Sequence, residues 1–306
     1  MTAANSRARA LAVRCVGLAL IVWSCAGEST APAPSEPFVP PDGRILFTSA
    51  RNANVDIYSM AGDGSGQERL TRDTADDQSA DWSPDESRLA FMSDRDGEYE
   101  VFVMLPNARG LRQLTTNTSN DGFPRWSPDG SKILFTSDRD FTFDQYVMLA
   151  DGNGLTRLTG NAGDNIGGVW SPDGSRIAFQ STRGGKPEIY AMRADGSNVV
   201  RLTSNVLDKG SRLAWSPDGA RIAFHAYDAS RNADIYVMDA DGANQVRLTT
   251  DPSTDRFVTW SPDGQKLAFT SNRSGDDEIY VMNVDGTGVT RLTYSPGLDV
   301  VDSWRN

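Results

Sequence analysis

The chain has 306 residues, 38% of them hydrophobic, which suffices for one large soluble domain or two average ones. Its net charge of −11 repels phosphate backbones and excludes nucleic acid as a partner. Both cysteines, Cys15 and Cys25, lie near the N-terminus, so the bulk of the chain has neither a disulfide nor a cysteine-based metal site.

Residues 1–14 are polar, with Arg7, Arg9 and Arg14 and no acid. Residues 15–24, "CVGLALIVWS", are apolar. The run is half the roughly 20 residues that a helix needs to span a bilayer. It fits the apolar core of a secretory signal, typically about 7–15 residues. The segment ends in "VWSC", which resembles the lipobox of bacterial lipoproteins. That resemblance implies a signal peptide over residues 1–24, with Cys25 lipidated as the first mature residue. Residues 25–40 are rich in Pro, Ser and Ala and lack periodicity. They read as an extended linker, about 45 Å long at polyproline rise.

From Pro41 the chain repeats. Trp82, Trp126, Trp170, Trp215, Trp260 and Trp304 recur every 44 or 45 residues, the first five followed by Ser-Pro-Asp. A typical unit reads "SPDGQKLAFTSNRSGDDEIYVMNVDGTGVTRLT". Ser-Pro-Asp-Gly is a tight turn, "KLAFTS" and "EIYVM" alternate as strands, and Asp-Gly turns into a short strand ending in Leu-Thr. We label the strands A (ending in Trp), B (containing Phe), C (containing Met) and D (ending in Leu-Thr). A period near 40–45 residues built from short strands indicates propeller blades. B strands carry Phe47, Phe91, Phe135, Phe179, Phe224 and Phe269, making six. The first unit has no A strand before it and the last has nothing after its A strand. The count closes if "VVDSW" pairs into the first blade, which removes the exposed edge of an open array. The expected fold is therefore all-β: a six-bladed propeller of four-stranded antiparallel blades over residues 41–306, closed by the C-terminal strand. An open β-solenoid would want capping repeats, and none are visible.

The pattern "WSPDG…IAF.S.R…EIYVM..DG…RLT" resembles the TolB-like propeller repeat of bacterial envelope proteins, six times over. The resemblance implies a membrane-tethered, non-catalytic interaction module, monomeric, whose partner is an envelope protein or peptide. It would be exported and held as a lipoprotein on the periplasmic side of the outer membrane or on the cell surface. The alternative is a carbohydrate- or peptidoglycan-binding or carbohydrate-active propeller. The only histidine, His225, sits within strand B of the fifth unit and reads as structural; no GxSxG, HExxH or Walker A stretch is present.

Antiparallel blades put the uniform A–B and C–D turns on one face of the disc and the variable B–C and D–A loops on the other, the face expected to bind. Five positions before each tryptophan stand Asp77, Asp121, Asn165, Gly210, Asp255 and Asp299, with Asp164 and Asp208 beside the two that depart. They should rim the channel, where carboxylates either collect a hard cation or pair with arginine. Some propellers of the resembled family hold Ca²⁺ there, which makes Ca²⁺ the expected ion if one binds. The B–C loops supply Arg51, Arg95, Arg139, Arg183 and Arg273. Departures from the repeat are Glu86 at a turn glycine, Pro106-Asn107 in place of Asp-Gly, a longer loop at 227–233, and Phe141 and Phe143 on the variable face.

Overall fold

The computed structural model describes residues 43–160, 163–205 and 207–305. The leader, Cys25 and the linker lie outside the described residues.

Six antiparallel sheets follow one another, and the phenylalanine at the centre of each B strand explains why. Phe47, Phe91, Phe135, Phe179, Phe224 and Phe269 are all fully buried. Each stacks on the aromatic ring opposite it in strand C, as Phe135 does on Tyr146 with centroids 5.8 Å apart. Alternate residues of strands B and C point toward different neighbours, so each apolar cluster joins two blades. Ala90, Val101 and Val103 of the second blade, for example, pack on Trp126, Phe135 and Met148 of the third. Both faces of each sheet are therefore buried, at about 1.5–3 kcal/mol for each large apolar side chain.

Blade 1 joins the two ends of the chain. Its strands B (Arg44–Ser49), C (Asp56–Ala61) and D (Glu68–Arg69) come from the start of the repeats, and its strand A (Asp299–Arg305) from their end. Ile45 pairs with Trp304 and Thr48 with Val300, across a bulge at Asp302. The expected closure is thus observed.

The D strands are shorter than expected. The ladder stops at Arg69 rather than at Thr71, and likewise in the other blades. The threonine replaces the next rung: Thr71 Oγ1 accepts the Ile57 N–H at 3.0 Å, and Thr115 and Thr159 do the same for Val101 and Gln145. Strand A of blade 5 also differs. It breaks into Asp208–Lys209 and Ala214–Trp215; Gly210 still donates its N–H to the His225 carbonyl at 2.9 Å, and residues 211–213 leave the ladder.

The turn departures resolve in physical terms. Glu86 takes the glycine role at φ 55°. In the second blade the slot filled elsewhere by Gly152 or Gly196 falls to Ala108, at φ 62°, one residue beyond the Pro-Asn pair.

Removing residues 299–306 exposes the B strand of blade 1 along its whole length. The truncated chain is expected to lose its cooperative melting transition or to oligomerise, as read by circular dichroism and size-exclusion chromatography. An unchanged monomer with unchanged melting would contradict the closure.

Candidate functional site

On the loop face one motif recurs in five blades. The arginine after strand B folds back so that its Nε donates to the last serine of that strand. Its Nη2 reaches the first residue of strand A, and its plane covers the two stacked rings. Arg139 shows all three: Nε to Ser137 Oγ at 2.9 Å, Nη2 to Asp121 at 2.7 Å, and the guanidinium 4.8 Å from the Tyr146 centroid. Arg51 pairs in this way with Asp299, Arg95 with Asp77, Arg273 with Asp255, and Arg183 with the amide oxygen of Asn165. Asp77, Asp121, Asn165, Asp255 and Asp299 are fully buried. The acidic ring is therefore a set of enclosed pairs, each within its own blade. Among the described residues no group of three or more His, Cys, Asp or Glu side chains gathers as a metal-binding set. Burial pushes the Asp77 carboxyl up to about 6, outweighing the help of Ser93 and Arg95, and it raises Asp299 as well. Asp164 and Asp208 stand half-buried beside the ring.

Blade 5 keeps the stacked rings but loses the polar parts of this motif together: Gly210, Ala226 and Asp228 replace the acid, the serine and the arginine. The histidine explains the glycine. A Cβ on residue 210 would lie 1.9 Å from His225 Nε2. His225 is enclosed, edge-on to Tyr227 and Phe257, and desolvation together with Arg256 and Arg212 lowers it to about 3. It is a neutral packing group with no access to solvent.

The broken A strand of blade 5 sends Arg212 across the axis. Its Nη1 meets Asp302 of blade 1 at 2.8 Å and its Nη2 meets Ser79 Oγ of blade 2 at 2.6 Å. Phe257 of blade 6 and Phe123 of blade 3 sandwich the guanidinium at 4.8 and 5.4 Å. Ser79, Phe123 and Phe257 hold left-handed φ of 59°, 56° and 55° respectively at the bulges of their A strands. The channel is thus closed partway. Below the plug, toward the Ser-Pro-Asp-Gly turns, lies a cavity of about 400 Å³.

A second ring of ion pairs was not anticipated from the sequence. The arginine of Arg-Leu-Thr meets the acid that opens strand C: Arg69 with Asp56, Arg157 with Asp144, Arg201 with Glu188, Arg247 with Asp234 and Arg291 with Glu278, at 2.5–2.8 Å. The recurring "RLT" was its signal. Blade 2 has Gln113 in that place, which leaves buried Glu100 accepting from the Asn117 N–H beside Asp121, with no arginine in ion-pair contact among the described residues. Burial, reinforced by the neighbouring Asp121, raises the Glu100 carboxyl to about 7.

The variable face carries two exposed aromatic side chains, of which Tyr294, 71% exposed, lies against Arg291 with the guanidinium 4.5 Å from its ring. Phe141 is 96% exposed, whereas its neighbour Phe143 is buried. Phe141 holds φ 70° at the position where blades 2, 4 and 6 place Gly97, Gly185 and Gly275. A left-handed residue with a Cβ costs roughly 1–2 kcal/mol.

The sequence profile of the TolB beta propeller domain matches residues 82–144, 122–212 and 204–305. No curated protein matches the chain. Among solved structures, TolB from Acinetobacter baumannii is 24% identical over 87% of this chain and 68% of its own, with a TM-score of 0.78. A protein assigned as TolB from Agrobacterium tumefaciens is 20% identical over 85% and 96%, with a TM-score of 0.67. A chain of hydrazine synthase from Kuenenia stuttgartiensis is 16% identical over 86% and 47%, with a TM-score of 0.70. At these identities the solved structures establish the fold alone.

Glu100 sets a pH dependence. A carboxyl that ionises at 4.5 when unfolded and at about 7 when folded contributes stability that is complete below pH 4.5. That contribution is lost as the pH rises through about 7. Gln113→Arg should supply the missing cation and flatten this decline. Thermal melts of both proteins between about pH 5 and 8 check it.

Proposed function

The chain belongs to the TolB beta propeller domain family, and on that premise we propose that it is a non-catalytic binding module of the bacterial envelope. In this reading it is exported, tethered through a lipid on Cys25, and docks an envelope protein or peptide on its loop face. The fold does not decide this, because the same propeller occurs in a chain of an enzyme.

Phe141 carries the reading. A fully exposed aromatic ring gains nothing from folding, and its backbone is held in a left-handed region that blades 2, 4 and 6 give to glycine and blades 1 and 5 to Ala53 and Arg231. Strain kept at an exposed position is a signature of function, and aromatic anchors dominate protein interfaces. The acid and arginine rings serve as scaffold beneath it: they fix the loops that present the ring. His225, enclosed and neutral, offers no base to a substrate.

A photo-crosslinking phenylalanine analogue at position 141 in cells should capture one dominant envelope protein, identified by mass spectrometry. The same analogue at exposed Val246, on the outer strand of blade 5, should not. Phe141→Gly should weaken binding of that partner by about tenfold or more while leaving the melting temperature unchanged or raised. Equal capture from both positions, or turnover of an envelope polysaccharide by the purified protein, would contradict the reading.

A further inference from the structure

We propose that the cavity on the turn face is a second binding site, for a ligand that carries a single carboxylate on a compact apolar body. The site goes beyond the loop-face reading and does not depend on it, since Arg212 closes the channel between the two mouths.

The walls are aromatic: Trp126, Trp170, Trp215 and Trp260 line the cavity, and Pro128, Pro172, Pro217 and Pro262 of the Ser-Pro-Asp turns frame its opening. Its volume of about 400 Å³ falls within the range of small-ligand pockets. Such walls favour a flat or branched apolar body.

The polar groups fix the sign of the charge. Asp302 is fully engaged, with Oδ1 on Arg212 and Oδ2 accepting the Thr48 hydroxyl. Asp81 accepts the Trp126 backbone N–H at 2.9 Å and lies 4.0 Å from Arg305. The donors, by contrast, have capacity to spare. Arg125 reaches only backbone carbonyls, Pro124 O at 3.2 Å and Asp302 O at 3.4 Å, and has no carboxylate within ion-pair distance among the described residues. Arg212 is more than nine-tenths buried, and its Nε has no acceptor. Two guanidinium groups with unused N–H donors in an aromatic cavity suit the planar oxygens of a carboxylate.

The rim limits the ligand to one negative charge. Asp129, Asp173, Asp218 and Asp263 sit in the turns around the opening. Serine hydroxyls of their own turns hold all four carboxyls below the usual range, so they stay ionised. A phosphate or a polyanion would meet them on approach, in a chain already at −11. The sequence position also fits a ligand-facing role. The residue before each tryptophan is Asp81, Arg125, Val169, Ala214, Thr259 or Ser303, a different type in every blade, whereas the scaffold positions recur.

The carboxylate could come from the C-terminus of a peptide or from a free organic acid. Calorimetric titration of the purified chain with acetyl-Leu-Phe as the free acid, its C-terminal amide and 3-phenylpropionate separates the two. At least one acid should saturate, the amide should bind at least about tenfold more weakly than its acid, and Arg125→Gln should weaken the acid by a similar factor. Binding of the peptide acid alone points to a protein C-terminus. Binding of 3-phenylpropionate shows that a small acid suffices. Ala214→Leu, which narrows the cavity without removing a charge, should weaken binding too and serves if Arg125→Gln does not fold. Phe141→Gly should leave the affinity unchanged, so failure here is distinct from failure of the loop-face reading. The proposal is overturned if neither acid saturates below about 10 mM, if the amide equals its acid, or if neither cavity variant changes the affinity.

Discussion

The pairing of Asp299–Arg305 with Arg44–Ser49 is the constraint on which the rest of the structure depends. It joins segments about 250 residues apart, as the hydrogen bond from Thr48 to Asp302 shows with a separation of 254. Closing so long a loop costs more entropy than closing a single hairpin, although the cost grows only slowly with length. The return is shared by all six blades. Each sheet buries both faces against neighbours, so an unclosed array would leave two apolar faces and an unpaired edge in water. The clasp also supplies Asp302, the one carboxylate among the described residues that pairs with the axial Arg212. Ring closure and channel closure are thus coupled through one side chain.

Around that ring, electrostatics works by enclosed pairs. In a first ring, the arginine after strand B of five blades lies over an aromatic stack and meets the buried residue that opens strand A. In a second, the arginine of strand D meets a buried acid of strand C. An acid placed there without its cation pays the desolvation cost in full, and the two departures show two ways of meeting it. Blade 5 dispenses with the acid: Gly210, Ala226 and Asp228 arrive together, and His225 fills the space. In the second ring, blade 2 keeps the acid and loses the cation, so Glu100 holds a proton near neutrality. The positions that break the repeat include Phe141 and Arg125, the two residues proposed to contact ligands.

The fold was legible in the sequence because its signals are local and recur six times. Tryptophan spacing gave the period, Phe and Met the buried strands, and Pro-Asp-Gly the turns; the surplus strand at the end implied the clasp. The acid and arginine rings could be found as positions, but not as partners. Whether carboxylates pool around a cation or pair with arginine depends on side-chain direction, and the spacing of Asp121 and Arg139 says nothing about that. The second ring went unread because it links strand C to strand D across a register set by the turn, as Tyr190 opposite Arg201 shows. The axial plug was out of reach for a further reason. Arg212 looks like an ordinary strand residue until the A strand of blade 5 breaks around it. Phe141 and Phe143 lie two residues apart in one loop, yet only the backbone places one in solvent and the other in the core.

The account therefore has a closed scaffold, an exposed aromatic on one face and a charged aromatic cavity on the other, all resting on the clasp. Native-state hydrogen exchange tests the clasp most directly, because a terminal strand ordinarily frays first. The amides of residues 300–304 should exchange only through global unfolding, with the same protection and denaturant dependence as those of the internal strand Arg176–Ser181. Rapid exchange confined to residues 300–304, with the other blades still protected, would show that the ring holds without its clasp and would contradict the account.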